Sequence, residues 1–169
     1  MKRPLAAARL AIAIAVAAAA VSPLAGNASP QTSGPSQVDV PVAAAAAVAI
    51  VDRFGTALAA ADYDTIAALL DPDVLILESG GAERNRAQYL QHHAISDAAF
   101  LQGAQVRLEH RRARTEGDLA WVASESEIRF RKDGQPRAVS STETMLLKRG
   151  PQGWRIVHIH WSSRPKKTP

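Results

Sequence analysis

The chain has 169 residues, with 20 Lys and Arg against 16 Asp and Glu, and it contains no cysteine. Without cysteine it can form neither a disulfide nor the lipid-modified cysteine of a lipoprotein. Three of the basic residues lie within the first nine positions, so the rest of the chain is close to neutral. The charge therefore gives no sign of a nucleic-acid-binding protein.

The N-terminus has the pattern of an export signal. Lys2, Arg3 and Arg9 lie around the start of an unbroken apolar run at 10–21, and small residues follow that run. This predicts a signal peptide over 1–28, cleaved after Ala28, and a periplasmic or secreted protein. An uncleaved anchor is the alternative. The apolar run is shorter than the roughly 20 residues that span a membrane, which argues against such an anchor. Because cleavage would also remove this run, we expect no stable membrane anchor in the mature protein.

About 140 residues remain, enough for one domain with a core. Residues 29–40, SPQTSGPSQVDV, are rich in Ser, Pro and Gln and predict a linker. The domain is expected over 41–164, and 165–169 is predicted to be a short solvated tail.

The first part of the domain predicts three helices. Apolar residues recur at helical spacing over 42–61, Asp62 is a candidate N-cap for a short helix over 63–70, and Asn85 is a candidate N-cap for a helix to about residue 93, or as far as 100. A short strand at 74–78 and a Gly80-Gly81 turn separate the second helix from the third.

The second part predicts long strands joined by short glycine-containing turns. The strands are expected at 104–115, 119–131, 137–148 and 153–162. The fold class is therefore α+β, with three N-terminal helices packed on a curved, mainly antiparallel sheet that encloses a cavity.

Three segments, EGDLAWVA, DGQPRAVSSTET and GWRIVHIHWSS, together with the first helix, carry a resemblance over residues 42–164. They resemble the nuclear transport factor 2-like, or SnoaL-like, cone-shaped domains. The most similar motifs are those of the association (hub) domain of calcium/calmodulin-dependent protein kinase type II. The superfamily includes isomerases, dehydratases and cyclases as well as domains that bind ligands or assemble, so function depends on the site.

The resemblance also orients the last strand. It places Trp161 and Ser126 where the hub domain has arginines of its basic cavity, so binding of an anion there is not expected. Trp161, Ile159 and Val157 then face the cone, and His158 and His160 face the opposite side of the sheet, which commonly packs against a second subunit in this superfamily. Two imidazoles on one strand face could also bind zinc or copper, but that requires a third ligand.

Three regions are candidates for acid–base chemistry. Glu78 ends the first strand near the predicted cone mouth, where burial would raise the pKa of its carboxyl group. Tyr89 and His93 share a face of the third helix, and they could polarise a carbonyl or move a proton. His92 is an alternative to His93. For each candidate a purely structural role is also open.

The expected cone lining is largely apolar, without an evident acid–base pair. Its members would be Trp161, Ile159, Ser126, Ser124, Tyr89 and Trp121. Such a lining suits a small hydrophobic or aromatic molecule oriented by one or two hydrogen bonds, with no cofactor.

The favoured interpretation is an exported, homodimeric small-molecule-binding domain without evident catalysis. The first alternative is an isomerase, dehydratase or cyclase that uses Glu78 or a histidine of the third helix. The second is an oligomeric assembly module. An enzyme would hold a carboxylate or imidazole inside the cone, within hydrogen-bond reach of Tyr89 or a serine.

Overall fold

The computed structural model describes residues 36–166. The predicted signal peptide and residues 29–35 of the predicted linker lie outside them. The helices are α1 (Ala45–Ala59), preceded by a 3₁₀ turn at Val42–Ala44, α2 (Tyr63–Leu69), α3 (Arg86–Gln91) and α4 (His93–Leu101). The strands are β1 (Gln37–Asp39), β2 (Leu70–Glu78), β3 (Gly81–Glu83), β4 (Gln105–Glu116), β5 (Leu119–Lys132), β6 (Gln135–Gly150) and β7 (Gly153–Pro165).

The strands form one curved, unclosed sheet in the order β1-β4-β5-β6-β7-β2-β3. Strands β4 to β7 are a continuous antiparallel meander, whereas β2 pairs with β7 and β1 with β4 in parallel. The helices cover one face of the sheet, which we call the inner face. The predicted α+β class and the four long strands are confirmed.

Helix α1 supplies much of the core. Its buried residues Ala47, Val51, Phe54 and Leu58 follow helical spacing. By length and composition alone, the segment Val42–Ala59 could also cross a membrane. In this structure, the face of α1 that carries the buried residues packs into the core. The predicted cap of the second helix is confirmed, because the Asp62 side chain accepts a hydrogen bond from the backbone N–H of Thr65.

The predicted third helix is two helices. Asn85 caps α3 as expected, by accepting from the backbone N–H of Gln88. The chain then leaves helical geometry at His92, with φ −126° and ψ −88°, before α4 begins at His93. The break lies between Tyr89 and His93, so these two residues no longer share one helix face.

Register shifts interrupt the alternation of the strands, and one of them changes which residues of β7 are buried. Leu147 pairs with Ile156 and Leu146 with His158, which leaves Val157 as an extra residue in β7. As a result Ile156 and Ile159 are both fully buried on the inner face, in place of the predicted Val157. A second register shift lies in β4, where Leu108 pairs with Ser126 and His110 with Glu125.

Both ends of the described chain are more ordered than expected. Gln37–Asp39, inside the predicted linker, form β1 beside β4. Pro165 belongs to β7, and the backbone N–H of Lys166 donates to Ala138 O. The start of the predicted solvated tail is therefore attached to the sheet.

Candidate active site

One row of paired residues crosses the inner face at the level of Trp161. The indole ring lies 6.2 Å from the Phe54 ring of α1, which shows that Trp161 faces the helices. Residues paired directly across a sheet share a face. The members of this row, from β4 through β5, β6 and β7 to β2, are Arg111, Ser124, Glu143, Trp161 and Glu78.

Three aromatic rings fill the space above this row. Phe54, Tyr89 and Trp161 have centroids 6.2 to 6.5 Å apart, and Phe54 stacks on both of the others. Tyr89 and Phe54 are almost completely buried. This part of the inner face is thus a packed aromatic group, and Tyr89 belongs to the core through its ring and to the polar site through its hydroxyl.

The Tyr89 hydroxyl donates a hydrogen bond to Oδ2 of Asp97 at 3.1 Å. Burial, and then the negative charge of Glu78, raise the pKa of Asp97 to about 6, and the hydrogen bond from Tyr89 opposes this shift. Burial and the neighbouring Asp97 carboxylate also raise the pKa of Tyr89. Asp97 can therefore take and release a proton near neutral pH, while Tyr89 stays protonated.

Glu78 is the second acid of this region. Burial raises the pKa of its carboxyl group, and the positive charge of His93 opposes that effect. Glu78 is partly exposed at the end of β2, just before a tight turn in which Ser79 and Gly80 have positive φ. The predicted Gly80-Gly81 turn is therefore one residue earlier, at Ser79-Gly80.

A third carboxylate, that of Glu83, contacts the His93 side chain. Glu83, on the short edge strand β3, is buried, and its Oε1 lies 2.6 Å from Nδ1 of His93. The His93 side chain is 34% exposed, whereas that of His92 is 70% exposed and 3.9 Å from the same carboxylate. His93 is thus the better placed of the two predicted histidines. We call Glu78, Glu83, Tyr89, His93 and Asp97 the acid cluster.

On the other side of Trp161, a line of polar side chains crosses the sheet. Trp161 Nε1 donates to Oε2 of Glu143 at 2.9 Å, and Ser124 pairs with Glu143 across β5 and β6. Arg111 Nε donates to Ser124 Oγ at 3.2 Å, and its Nη1 donates to Oδ1 of Asp52 on α1 at 2.5 Å. The inner face is therefore more polar than predicted.

The residues predicted to line the pocket divide between the two faces. Ile159, Ser124 and Trp161 lie on the inner face, and Ser126 follows Ser124 on the same face of β5. Trp121 does not belong with them: it alternates with the buried Ala120 and Val122 and lies on the outer face.

His158 and His160 lie on the outer face, as the resemblance implies. His158 Nδ1 is 2.8 Å from the carbonyl oxygen of Leu75, and His160 is exposed. Over residues 36–166, no three or more His, Asp or Glu side chains come together in a geometry that could hold a metal ion.

Two surface cavities lie away from the acid cluster. One, of about 210 Å³, is lined largely by hydroxyl side chains, among them Ser126, Ser140 and Ser162, near the ends of β5, β6 and β7. The other, of about 520 Å³, surrounds the β6–β7 turn and includes Asp71. A ligand of the acid cluster would instead meet the partly exposed side chains of Glu78, His93 and Asp97 at its rim.

The sequence interpretation missed the groups that make the acid–base pairs. Asp97 follows His93 by four residues, so a helix starting at His93 places both on one face, and this signal was available. Glu143 alternates with the core residues Met145 and Leu147 along β6, which also marks it as inward-facing. Glu83 carries no such signal, because its edge strand has only three residues.

The sequence profile of the SnoaL-like domain family matches residues 47–165. The chain belongs to the SnoaL-like domain family. A search of curated proteins finds no match.

Solved structures with this SnoaL-like fold are numerous. A protein from Shewanella frigidimarina NCIMB 400, provisionally assigned as a ketosteroid isomerase, is 30% identical, with 69% of this chain and 94% of that chain covered and a TM-score of 0.67. The calcium/calmodulin-dependent protein kinase II hub of S. rosetta is 22% identical over 71% and 95% of the two chains, with a TM-score of 0.64. A provisionally assigned dehydratase from Streptomyces avermitilis is 19% identical over 73% and 96%, with a TM-score of 0.60. The similarity to the last two structures shows only that the fold is shared.

Proposed function

We propose that this SnoaL-like domain is a cofactor-independent acid–base enzyme that moves a proton on a small organic molecule carrying a carbonyl group. The reaction would be of the isomerase, dehydratase or cyclase kind. The observation that carries the proposal is the hydrogen bond between the Tyr89 hydroxyl and Asp97, a carboxyl group whose pKa is about 6. A carboxylate within reach of Tyr89 is the feature that separates an enzyme from a plain binding domain.

In the proposed reaction, the protonated Asp97 carboxyl is the acid. It donates a hydrogen bond to the carbonyl oxygen as negative charge develops there, and keeps its own proton when the carbonyl forms again; Tyr89 keeps it in place. Glu78 or His93 removes a proton from the neighbouring carbon and returns it to a different carbon, so no proton is gained or lost overall. Glu83 orients His93 through Nδ1, which leaves Nε2 for this transfer.

The comparisons support this reaction class without assigning a substrate. The relative with 30% identity carries the name of an isomerase, and a more distant structure carries that of a dehydratase. The aromatic group of Phe54, Tyr89 and Trp161 supports a flat or apolar ligand body beside the acid cluster. Ser126, partly exposed on the same inner face, would extend the proposed binding surface, whereas Ile159 and Ser124 are buried.

The experiment uses cyclohex-3-enone, a small ketone that a proton transfer converts to an absorbing conjugated isomer. We expect the wild-type protein to accelerate this conversion over buffer, and Asp97→Asn to lower the rate at least about 100-fold. Glu78→Gln and His93→Gln, compared with each other, identify the base. Glu125→Gln, on the exposed outer face, is the matched control and should keep the wild-type rate. A wild-type rate equal to that of buffer, or an unchanged rate in Asp97→Asn, would contradict the proposal.

Self-association through the outer face is a second proposal. Leu146 is 40% exposed there, and Trp121 and His158 lie on the same face. The fold shared with the hub structure supports a dimer or a larger ring. Light scattering should give at least twice the monomer mass, reduced by His158→Ala. A monomer mass for the wild type would refute this proposal.

Export also remains a proposal, because residues 1–28 lie outside the described part of the chain. N-terminal sequencing of the protein recovered from a bacterial periplasm or medium should begin at Ser29. A mature protein that begins at Met1 would contradict it.

A further inference from the structure

Trp161 joins two parts of the inner face that are otherwise separate. On one side its ring packs against Phe54 and Tyr89, which leads to Asp97. On the other side its Nε1 donates to Glu143. In the sheet, Trp161 pairs with Glu78 on β2 and with Glu143 on β6. Any movement of the indole would therefore disturb the acid cluster directly.

Stacking alone does not fix the rotation of an indole ring. Pairs of rings 6.2 to 6.3 Å apart prefer offset or edge-to-face arrangements but contribute only about 0.5–1.5 kcal/mol each beyond their buried area, so they fix the indole orientation weakly. A hydrogen bond at 2.9 Å, in contrast, requires the N–H to point at the acceptor. Of the Trp161 contacts described above, the bond to Glu143 sets the rotation.

Glu143 is itself held from the far side. Ser124 pairs with Glu143 across the sheet and favours its ionised form, and Arg111 Nε donates to the Ser124 hydroxyl. Burial raises the pKa of Glu143, but the bond from Trp161 and the charge of Arg111 both oppose that shift. Asp52 in turn holds the Arg111 guanidinium. The carboxylate thus has a fixed position and a nearby positive charge.

We infer that Glu143 is a positioning residue, which fixes the Trp161 ring against Tyr89 and so shields the Tyr89 side of the Tyr89–Asp97 hydrogen bond from water. Tyr89 is completely buried, whereas Asp97 is partly exposed. The importance of this closure for catalysis rests on the proposed function, whereas the hold of Glu143 on Trp161 does not.

The first test reports on Trp161 alone. Trp121→Phe and Trp154→Phe together leave Trp161 as the only tryptophan. In this background, Glu143→Leu should increase acrylamide quenching of Trp161 emission about threefold, because the ring loses its directional bond and admits the quencher. Glu143→Gln, which keeps an acceptor oxygen, should retain the original quenching. Glu125→Leu, on the exposed outer face, is the matched control, and far-UV circular dichroism checks that each variant folds.

The second test reports on the acid cluster, by carbon-13 NMR titration of the Asp97 carboxyl. In Glu143→Leu the Asp97 midpoint should fall by about one unit, because water reaches the pair. Glu143→Gln should restore it. Unchanged quenching or an unchanged Asp97 midpoint in Glu143→Leu would overturn the inference. A Glu143→Gln variant that shows the same changes as Glu143→Leu would also overturn it. A protein that shows both changes but does not isomerise cyclohex-3-enone would refute only the proposed function.

Discussion

The helix-covered side of the sheet and its outer face have carboxyl groups with opposite properties, Asp97 on α4 and Glu127 on β5. Asp97 has Tyr89 as its hydrogen-bond donor and Glu78 and Glu83 as charged neighbours, and its pKa is raised to about 6. Glu127 on the outer face is 3% exposed. Its carboxylate contacts Arg107 at 3.2 Å and also Arg129 and Lys166, and its pKa is lowered to about 2.

Burial therefore does not decide the charge state of a carboxyl group by itself. Removal from water favours the neutral acid, and only nearby cations reverse that preference. We call Arg107, Glu109, Glu127, Arg129 and Lys166 the outer ionic cluster. Its central carboxylate, Glu127, stays ionised across the physiological range and serves the fold, while Asp97 changes its charge near neutral pH and can serve chemistry.

The largest expected effect concerns Asp97 and the pH dependence of stability. A carboxyl group that binds its proton more tightly in the folded state stabilises the fold at low pH. That stabilisation is lost as pH rises from its unfolded value of 3.8 to about 6. The loss is up to about 3 kcal/mol. Urea unfolding across this window should show a decline in the unfolding free energy for wild type that Asp97→Asn removes. A parallel decline in both proteins would contradict the account.

The outer ionic cluster should respond to pH in the opposite direction. Because the pKa of Glu127 is lowered on folding, its stabilising effect is complete above 4.5 and is lost as pH falls to about 2. Glu127→Gln should cost about 1–2 kcal/mol at neutral pH, with Arg107, Arg129 and Lys166 left facing a neutral amide. The cost should vanish near the acid end of a urea series. Glu125→Gln, two residues earlier on the same face of β5, should leave the unfolding free energy almost unchanged.

The smallest effect is expected for the C-terminal contact. The Lys166 side chain is 39% exposed while it contacts Glu127 and Glu109. Exposed ion pairs contribute little because solvent screens them. Lys166→Ala should therefore lower the unfolding free energy by less than about 1 kcal/mol in urea. A loss above about 2 kcal/mol would show that this residue anchors the sheet.

The parts of the fold set by local patterns could be predicted from the sequence. The four long strands follow from alternation between glycine-containing turns, and Asp62 and Asn85 cap helices as their positions indicate. The resemblance oriented Trp161 correctly. In contrast, a bulge adds one residue to a strand without changing the strand's composition. The sequence therefore did not indicate that Ile156 is buried and Val157 is not.

The acid cluster could be predicted only in part. Glu78, Tyr89 and His93 were candidates, but their partners come from tertiary packing. Tyr89 and Asp97 are on different helices separated by the break at His92. Arg111 was not among the candidates, yet its pairing with Ser124 places it on the inner face.

The most direct test of the account is a carbon-13 NMR titration of the wild-type side-chain carboxyl groups. One experiment compares both faces of the sheet under the same conditions. Asp97 should titrate with a midpoint near 6 and Glu127 with a midpoint near 2. An Asp97 midpoint at the ordinary value of 3.8 would contradict the central claim, because the group would then hold no proton to donate at neutral pH.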